Sequence, residues 1–205
     1  GLQAIQVDGL RVTFGDFIAI PGLSFIARYG EIHGIIGPNG AGKTTLLDVI
    51  TGKTRPREGK VILDGRTDLL RLTEPEIALA GVGRKFQKPS VFEALTVREN
   101  LELALRLHQR SILAELRAWG DPRRAARVTE VLEEISLTEK AKALAGTLAH
   151  GQKQWLEIGM LLMQRPKLLM LDEPVAGMTD AETNHTAELV RRLRDPDRAI
   201  LVIEH

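Results

Sequence analysis

The stretch that decides the fold is Gly37-Pro38-Asn39-Gly40-Ala41-Gly42-Lys43-Thr44. It has the form G-x-x-x-x-G-K-[ST], in which backbone N–H groups of a glycine-rich loop surround a phosphate, the lysine reaches the β- and γ-phosphates and the hydroxyl binds Mg²⁺. A short apolar run at 32–36 precedes the loop and predicts a buried strand, and residues 44–50 predict a helix. Because strand, loop and helix N-terminus follow in order, we predict a nucleotide-binding P-loop.

Composition narrows the class of protein. At 205 residues the chain is long enough for one domain, and short apolar runs alternating with helical stretches predict an α/β fold. The absence of cysteine excludes disulfides and cysteine-ligated metal sites. A net charge of +1 gives no support to a surface that binds nucleic acid or anionic lipid. No apolar run approaches the roughly 20 residues that span a bilayer, so we expect a soluble protein that reaches a membrane only through a partner.

Short strands surround the P-loop in the sequence. Residues 2–30 alternate partially between apolar and polar side chains, with a break expected at Pro21-Gly22, and predict an antiparallel set. Residues 54–65 predict a turn, a strand and a second turn, and 79–83 predict the next strand of the central sheet. We therefore expect an antiparallel β lobe, at about 1–30 and 54–65, beside the nucleotide-binding core.

The second half of the sequence is mostly helical. Residues 97–147 predict a helical arm of two main helices, broken at Gly120-Asp121-Pro122, and 153–164 predict a helix that is apolar nearly all round and therefore buried. A buried strand at 168–171 then delivers Asp172-Glu173 at its C-terminal end, where open α/β sheets bind ligands. Two adjacent carboxylates can divide the work there, because one can stay ionised beside a metal while the other accepts a proton.

Residues 199–203 have the pattern of one more buried strand, and the sequence stops soon after it. Because domains rarely end directly after such a strand, we expect a single domain over 1–205 from which a C-terminal segment is missing.

The order of several separated elements is more specific than the P-loop alone. The loop is followed by Gln87, the helical arm, Leu148-Ala149-His150-Gly151-Gln152, the pair Asp172-Glu173 and finally His205. Over its whole length the chain thereby resembles the ATP-binding subunits of ABC transporters. The resemblance implies a P-loop NTPase fold with a RecA-like parallel sheet core, an N-terminal antiparallel β subdomain and a helical arm.

The resemblance also implies a site for ATP and Mg²⁺. Lys43 and the loop amides would hold the phosphates, and Phe14 would stack on the adenine. Thr44 and Asp172 would hold Mg²⁺, and Gln87 would sense the metal. The phosphate-binding residues expected from the loop are Asn39, Gly40, Ala41, Gly42, Lys43, Thr44 and Thr45.

Three residues are expected to take part in catalysis. By resemblance, Glu173 polarises the attacking water as general base, and His205 is the switch histidine that contacts the γ-phosphate. Gln87 senses the water as well as the metal, while its loop contacts the membrane partner. These roles suit phosphoryl transfer, which depends mainly on positioning and on neutralising charge.

A second expected nucleotide contact lies at the start of the predicted buried helix. In the family it faces the ATP of the opposite subunit, so that ATP joins two subunits and hydrolysis lets them separate. Its residues here are Ala149, His150, Gly151 and Gln152. Ala149 replaces the usual serine and His150 the usual first glycine. Thr179 stands where the family commonly has an interface aspartate, with Asp180 next to it.

Closer resemblances concern the transported solute. Residues 36–45, Phe86-Gln87 and 172–178 resemble the branched-chain amino acid importer group. Within that group, 150–160 and 174–183 are most similar to the ATPase of urea importers. The function implied is ATP-driven uptake of urea, with uptake of branched-chain amino acids as the alternative. No residue encodes urea by chemistry, because the ATPase subunit does not touch the solute.

The same resemblance implies partners and a location. The partners are transmembrane permease subunits, a solute-binding protein reached indirectly, and a second ABC ATPase, which is a related chain in the cell or a second copy in isolation. The expected location is the cytoplasmic face of the inner membrane. No nucleic acid is expected as a partner.

Two rival functions remain open from the sequence. A soluble ABC ATPase acting on nucleic acid would carry a long coiled coil in place of the arm, or two ATPase halves, and would bind DNA with strong salt dependence. A P-loop kinase would need an acceptor pocket and leaves 148–152 without a role. Release of phosphate to water, with no phosphorylated acceptor, would distinguish the ATPase from the kinase.

Overall fold

An antiparallel hairpin comes first in the computed structural model, which describes residues 2–36, 41–85, 90–107 and 120–204. Strand β1 (Gln3–Phe14) pairs with β2 (Phe17–Arg28) through a two-residue turn. The turn begins at Gly15, whose φ of 59° lies in the left-handed region that glycine adopts without steric cost. The antiparallel pairing predicted for this part of the sequence is confirmed.

The break expected at Pro21-Gly22 is wrong, because both residues lie inside β2. On either side of them, Ile20 pairs with Val12 and Leu23 pairs with Leu10, so β2 carries one residue more than β1 between the two pairs. This extra residue makes a β-bulge. A proline is tolerated at a bulge because it has no N–H to contribute to the ladder.

Within the described residues, the strands form two sheets. The remaining strands are β3 (Ile32–Ile36), β4 (Glu58–Leu63), β5 (Thr67–Asp68), β6 (Val82–Lys85), β7 (Leu168–Asp172) and β8 (Ala199–Glu204). The first sheet has the order β2-β1-β4-β5 and is antiparallel. The second has the order β3-β8-β7-β6, and β8 pairs in parallel with both of its neighbours. The predicted fold class, a parallel sheet core with an antiparallel N-terminal sheet, is confirmed.

Helices carry most of the other regular structure. They are α1 (Ala41–Ile50), α2 (Glu74–Ala80), α3 (Val97–Leu107), α4 (Pro122–Glu134), α5 (His150–Leu162) and α6 (Asp180–Arg192). Helix α1 directly follows the P-loop, and α3 and α4 correspond to the two main helices predicted for the arm. Helix α5 begins at His150 rather than at residue 153.

Helix α2 replaces part of the strand predicted at 79–83. The hydroxyl of Thr73 accepts the N–H of Glu76, and the Glu76 carboxylate accepts the N–H of Thr73. Such a capping box favours a helix over the residues that follow. The helix ends at Gly81, whose φ is 111°, and β6 starts one residue later. The predicted strand is therefore wrong over 79–81.

Cα positions divide the chain into two compact units, and the first contains both sheets except Lys85, the last residue of β6. It comprises Gly1–Arg84, Pro166–Glu173 and Arg194–His205. Its core is made of apolar side chains from both sheets and from one face of α1, where Leu47 and Ile50 are fully buried. Burial of this face fixes α1 within the first unit. That the whole chain forms one domain stays a prediction.

The second unit comprises Lys85–Arg165 and Pro174–Leu193. Helix α5 packs closely in it because Gly159 has no side chain. A Cβ at Gly159 would lie 2.6 Å from Cδ1 of Ile135 and 3.1 Å from Cδ2 of Leu101. The buried position predicted for this helix is confirmed, since eight of its residues are buried.

A buried indole joins α5 to α6 in the second unit. The Nε1–H of Trp155 donates to Oγ1 of Thr186 at 2.7 Å, and its ring centroid lies 4.4 Å from that of His185. The Thr186 hydroxyl donates in turn to the carbonyl of Glu182 at 2.8 Å. The polar atom of this large apolar side chain is thereby satisfied.

A charged cluster in the first unit is centred on Asp64. The hydroxyl of Tyr29 donates to its Oδ1 at 2.7 Å, while Arg66 and Lys167 donate to its Oδ2 at 2.9 and 3.2 Å. These hydrogen bonds, that of Tyr29 foremost, lower the pKa of Asp64 from 3.8 to about 2. Burial, followed by the hydrogen bond to Asp64, raises the pKa of Tyr29.

Replacing Asp64 by Asn is expected to lower the free energy of unfolding by about 1 kcal/mol at pH 7. Because the pKa is lower in the folded state, this contribution is present above the unfolded pKa near 3.8 and is lost as the pH falls toward 2. Urea unfolding at pH 6 and pH 3 measures the change. The matched control is Asp16→Asn in the exposed hairpin turn. A difference between wild type and Asp64→Asn that stays constant with pH would contradict the expectation.

Candidate nucleotide-binding site

The carboxyl ends of three parallel strands meet at one edge of the second sheet. Ile36, the last residue of β3, pairs with Glu204, and Asp172, the last residue of β7, pairs with Ile203. Ligands in open α/β sheets bind outside this edge. The P-loop leaves from it, although residues 37–40, which include Asn39 and Gly40, lie outside the described residues.

The first turn of α1 brings the P-loop lysine to this edge. The Nζ of Lys43 donates to the carbonyl of Glu204 at 3.0 Å. Helix N-termini attract anions, because their N–H groups have no partner within the helix and the helix dipole is positive there. A lysine ammonium and a helix N-terminus thus lie together at the end of β8, which is an arrangement suited to phosphate.

The other residues predicted at the start of α1 differ in exposure. Thr44 is exposed, whereas Thr45 is buried with 5 % of its surface exposed. A Cβ at Gly42 would lie 3.2 Å from the carbonyl oxygen of Ala19, so β2 runs close to this helix end. Ala41 is the first residue of the helix.

Asp172 lies at the end of β7 in contact with a buried arginine. Asp172 is 6 % exposed, and its Oδ2 is 3.6 Å from Nη2 of Arg84. The Nη1 of the same guanidinium donates to Oδ1 of Asp48, on α1, at 2.6 Å. Sequence reasoning identified Asp172 and missed both Arg84 and Asp48.

Glu173 leaves the strand with an unusual backbone. Its φ is 47°, in the left-handed region that few residues other than glycine adopt, and its N–H donates to the carbonyl of Ile203 at 2.9 Å. Backbone strain of this kind costs about 1 kcal/mol or more and is concentrated at functional sites. The geometry therefore marks the residue after Asp172 as one whose position is imposed by its surroundings.

Thr44 and Asp172 supply oxygen donors suited to Mg²⁺. Magnesium prefers oxygen ligands and is usually held by one or two carboxylates together with substrate phosphates and water. A hydroxyl at the start of α1 and a carboxylate at the end of β7, in the same unit, fit that requirement. Among the residues that the structure describes, no group of three His, Asp or Glu side chains forms a metal site.

The start of α5 belongs to the second unit. Ala149 is its N-cap residue, with φ −62° and ψ 159°, and its N–H donates to Oε1 of Gln152 at 3.0 Å. Alanine has no side-chain oxygen that could accept an N–H of the first turn. The serine-to-alanine departure seen in the sequence thus falls on a position where a hydroxyl would cap the helix.

His150, which replaces a glycine of the family pattern, contacts the loop before α6. Its Nε2–H donates to the carbonyl of Ala176 at 3.0 Å. At Gly177, whose φ is 72°, a Cβ would lie 3.2 Å from the same Nε2. At Gly151 a Cβ would collide with the carboxylate of Glu182. The imidazole therefore links the start of α5 to the loop that follows Glu173.

Thr179, noted in the sequence as a departure, is the N-cap of α6. Its hydroxyl accepts the N–H of Glu182 at 3.2 Å. Threonine is a favoured residue for this task. Asp180 is the first residue of the helix, where a negative charge is favourable.

Replacing Ala149 by Ser is expected to raise the free energy of unfolding by about 0.5 to 2 kcal/mol, because the hydroxyl can accept an N–H of the first turn of α5. We expect ATP hydrolysis or ATP-dependent dimerisation to rise as well, since the family pattern has serine here. Thermal unfolding and phosphate release measure the two effects. Ala126→Ser, on the exposed face of α4, is the matched control and should be slightly destabilising. No change in either measurement would show that the hydroxyl is dispensable.

Of three further residues predicted for the site, the structure describes only Phe14. Phe14 is the last residue of β1, is 50 % exposed and pairs with Phe17 across the hairpin turn. Gln87 and His205 lie outside the described residues. The roles expected for all three stay predictions.

Comparison with known proteins places these features in a family. Residues 20–176 match the family model described as ABC transporter. The chain is 39 % identical over 208 aligned positions to the high-affinity branched-chain amino acid transport ATP-binding protein BraF of Pseudomonas aeruginosa, covering 98 % of this chain and 81 % of BraF.

Solved structures agree with the sequence comparison. The ADP conformation of MJ1267, an ATP-binding cassette of an ABC transporter, superposes with a TM-score of 0.85 at 31 % identity, covering 100 % of this chain and 82 % of MJ1267. The ATP-binding cassette MJ0796, a dimer in a post-hydrolysis state with ADP and phosphate, gives a TM-score of 0.78 at 25 % identity, covering 98 % and 88 %. The chain therefore belongs to the ABC transporter family and is one of its ATP-binding cassette ATPases.

Proposed function

We propose that this chain binds ATP with Mg²⁺ and hydrolyses it to drive the uptake of branched-chain amino acids through a membrane permease. The observation that carries the proposal is the shared edge of the parallel sheet, where Lys43 contacts the end of β8 and Asp172-Glu173 follows β7. The family assignment and the relationship to BraF support the transport role.

The chemistry assigned to this site is transfer of the γ-phosphoryl group to water. The water oxygen forms a bond to the γ-phosphorus while the bond from that phosphorus to the β,γ-bridging oxygen breaks, which leaves ADP and phosphate. Glu173 accepts the proton of the attacking water. Lys43 and the N–H groups at the start of α1 balance the charge on the phosphate oxygens. His205 and Gln87 keep the roles in γ-phosphate contact and water sensing that the resemblance implies.

Thr44 and Asp172 are the residues that would hold Mg²⁺. When bound, the metal neutralises charge on the β- and γ-phosphates. Asp172 lies beside the guanidinium of Arg84, with its Oδ2 3.6 Å from Nη2. Glu173, by contrast, is assigned to proton transfer, so the two neighbouring carboxylates have separate tasks.

The start of α5 is assigned to a second ATPase subunit. Its first N–H groups form an anion-binding helix end, and the residues involved are Ala149, His150, Gly151 and Gln152. The dimeric state of MJ0796 supports a dimer in which each chain presents this helix end to the nucleotide of the other. The second subunit is expected to be a related ATPase in the cell and a second copy of this chain in isolation.

A surface near the Gln87 loop is assigned to the permease. Phe92 is 45 % exposed, and its backbone N–H and carbonyl both bond to the side chain of Asn100, which is fully buried. Asn100 thus fixes the backbone of Phe92, whose apolar ring is exposed. In the part of the chain that the structure describes, no helix has the length and apolar character needed to cross a bilayer. We assign attachment at the cytoplasmic face of the inner membrane to this contact with the permease.

The solute is assigned from the relative rather than from the motifs. BraF is a branched-chain amino acid transport protein, whereas the motifs at 150–160 and 174–183 predicted urea. The alternative stated with that prediction therefore fits better. Because of those two motifs, the test below also measures urea uptake.

Uptake of labelled leucine and labelled urea by the native cells tests the proposal. Cells carrying the full-length protein are compared with cells carrying its Glu173→Gln form. We expect loss of leucine uptake with urea uptake unchanged. Loss of urea uptake alone would replace the amino acid by urea, and loss of neither would overturn the transport role while leaving the ATPase assignment intact.

A further inference from the structure

Arg84 joins two parts of the first unit that the sequence keeps far apart. Its side chain is 4 % exposed, and its guanidinium lies between α1 and the end of β7. Nη1 donates to Oδ1 of Asp48 at 2.6 Å, and Nη2 lies 3.6 Å from Oδ2 of Asp172. A single rigid cation therefore contacts one carboxylate on each element.

Asp48 shares a face of α1 with the hydroxyl proposed to bind the metal. Residues four apart on a helix lie one above the other, so Asp48 stands on the same face as Thr44. Asp172 carries the other oxygen ligand assigned to Mg²⁺. Arg84 is thus bonded to the helix that carries one proposed ligand and lies against the other ligand directly.

We propose that Arg84 is a positioning residue for Mg²⁺ binding, which sets the spacing between Thr44 and Asp172. The inference rests on the proposed function, because it takes those two residues as metal ligands. The planar guanidinium is suited to this task, since its two Nη atoms point to separate acceptors at fixed angles. Its positive charge also offsets the repulsion between the carboxylates of Asp48 and Asp172.

The test measures ATP binding by the full chain with and without the metal. In Arg84→Met, a change of similar length without charge, we expect ATP affinity in EDTA to stay within about twofold of wild type. The gain in ATP affinity on adding Mg²⁺ should fall about tenfold, and the Mg²⁺ concentration for half-maximal binding should rise by about the same factor. Arg84→Lys keeps the charge without the planar fork and should recover part of the loss.

The matched control is Arg66→Met, because Arg66 is largely exposed and lies outside the site. It should leave all of these quantities unchanged. If Arg84 only supports the fold, its variants will lose ATP affinity equally with Mg²⁺ and in EDTA. If Arg84→Met does not fold, Arg84→Lys decides the matter, since unchanged Mg²⁺ dependence in that variant would overturn the proposal. A wild-type protein whose ATP binding does not depend on Mg²⁺ would instead overturn the metal assignment itself.

Discussion

The Glu173→Gln variant is expected to bind ATP with nearly unchanged affinity and to hydrolyse it on the order of 10²-fold or more slowly. The amide has the size of the carboxylate but cannot accept a proton from water. Glutamine should keep the backbone in place, because the N–H that donates to Ile203 and the φ of 47° belong to the main chain. ATP should therefore accumulate in the bound state and hold two subunits together.

Phosphate release and size-exclusion chromatography with ATP measure these two effects. The control is Glu188→Gln on the exposed face of α6, which should hydrolyse ATP at the wild-type rate. Near-normal turnover in Glu173→Gln would remove Glu173 from the role of general base. Loss of ATP binding would show that the substitution disturbs the site instead of the chemical step.

Replacing Lys85 by Met is expected to lower the free energy of unfolding by about 3 to 5 kcal/mol. Lys85 is fully buried, and its Nζ lies 3.9 Å from Oε2 of Glu157, a residue of α5 that is 6 % exposed. Removing the ammonium takes away the positive charge that faces the buried carboxylate of Glu157. The same substitution at exposed Lys60 should cost far less.

A double-mutant cycle separates the ion pair from packing. Glu157→Gln alone removes the negative charge that faces the buried ammonium and should also be strongly destabilising, whereas Lys85→Met combined with Glu157→Gln should recover most of the loss. Urea unfolding of the four proteins gives the coupling free energy. If the loss of unfolding free energy in the double variant equalled the sum of the two single losses, the pair would not be coupled.

The sequence was sufficient where the determining residues are close together. The glycine loop, the apolar run before it and the helix after it are contiguous, so β3 and α1 followed from local patterns. The apolar run ending at Asp172 likewise predicted β7 and its place at the ligand-binding edge. In each case the chemistry and the secondary structure are encoded within one continuous stretch, 32–50 for the first and 168–173 for the second.

Arg84 could not be predicted in this way. It gains its partners only when β6 packs beside β7 and against α1. One partner, Asp48, lies 36 residues before it, and the other, Asp172, lies in a separate part of the sequence. A charged residue in a short strand is otherwise expected at the surface. Only the three-dimensional arrangement turns it into a buried contact of two carboxylates.

The sequence contains patterns that would have corrected two of the predictions, the strand over 79–81 and the break at Pro21-Gly22. Thr73 and Glu76 stand at the spacing of a capping box, which predicts the helix that replaced the strand at 79–81. Gly15-Asp16 between two strand patterns is a hairpin signal, whereas Pro21-Gly22 is compatible with a bulge. Pro21-Gly22 stands within a continuous strand, since β2 runs over 17–28.

The buried indole of Trp155, bonded to Thr186, gives the second unit a fluorophore of its own. The chain has two tryptophans, at positions 119 and 155; Trp155 belongs to the second unit, whereas the single tyrosine, Tyr29, belongs to the first. In a Trp119→Phe background, tryptophan fluorescence comes from Trp155 alone and therefore originates in the second unit. Its emission wavelength then follows the packing of α5 against α6 while nucleotide is added to the protein, without any attached dye.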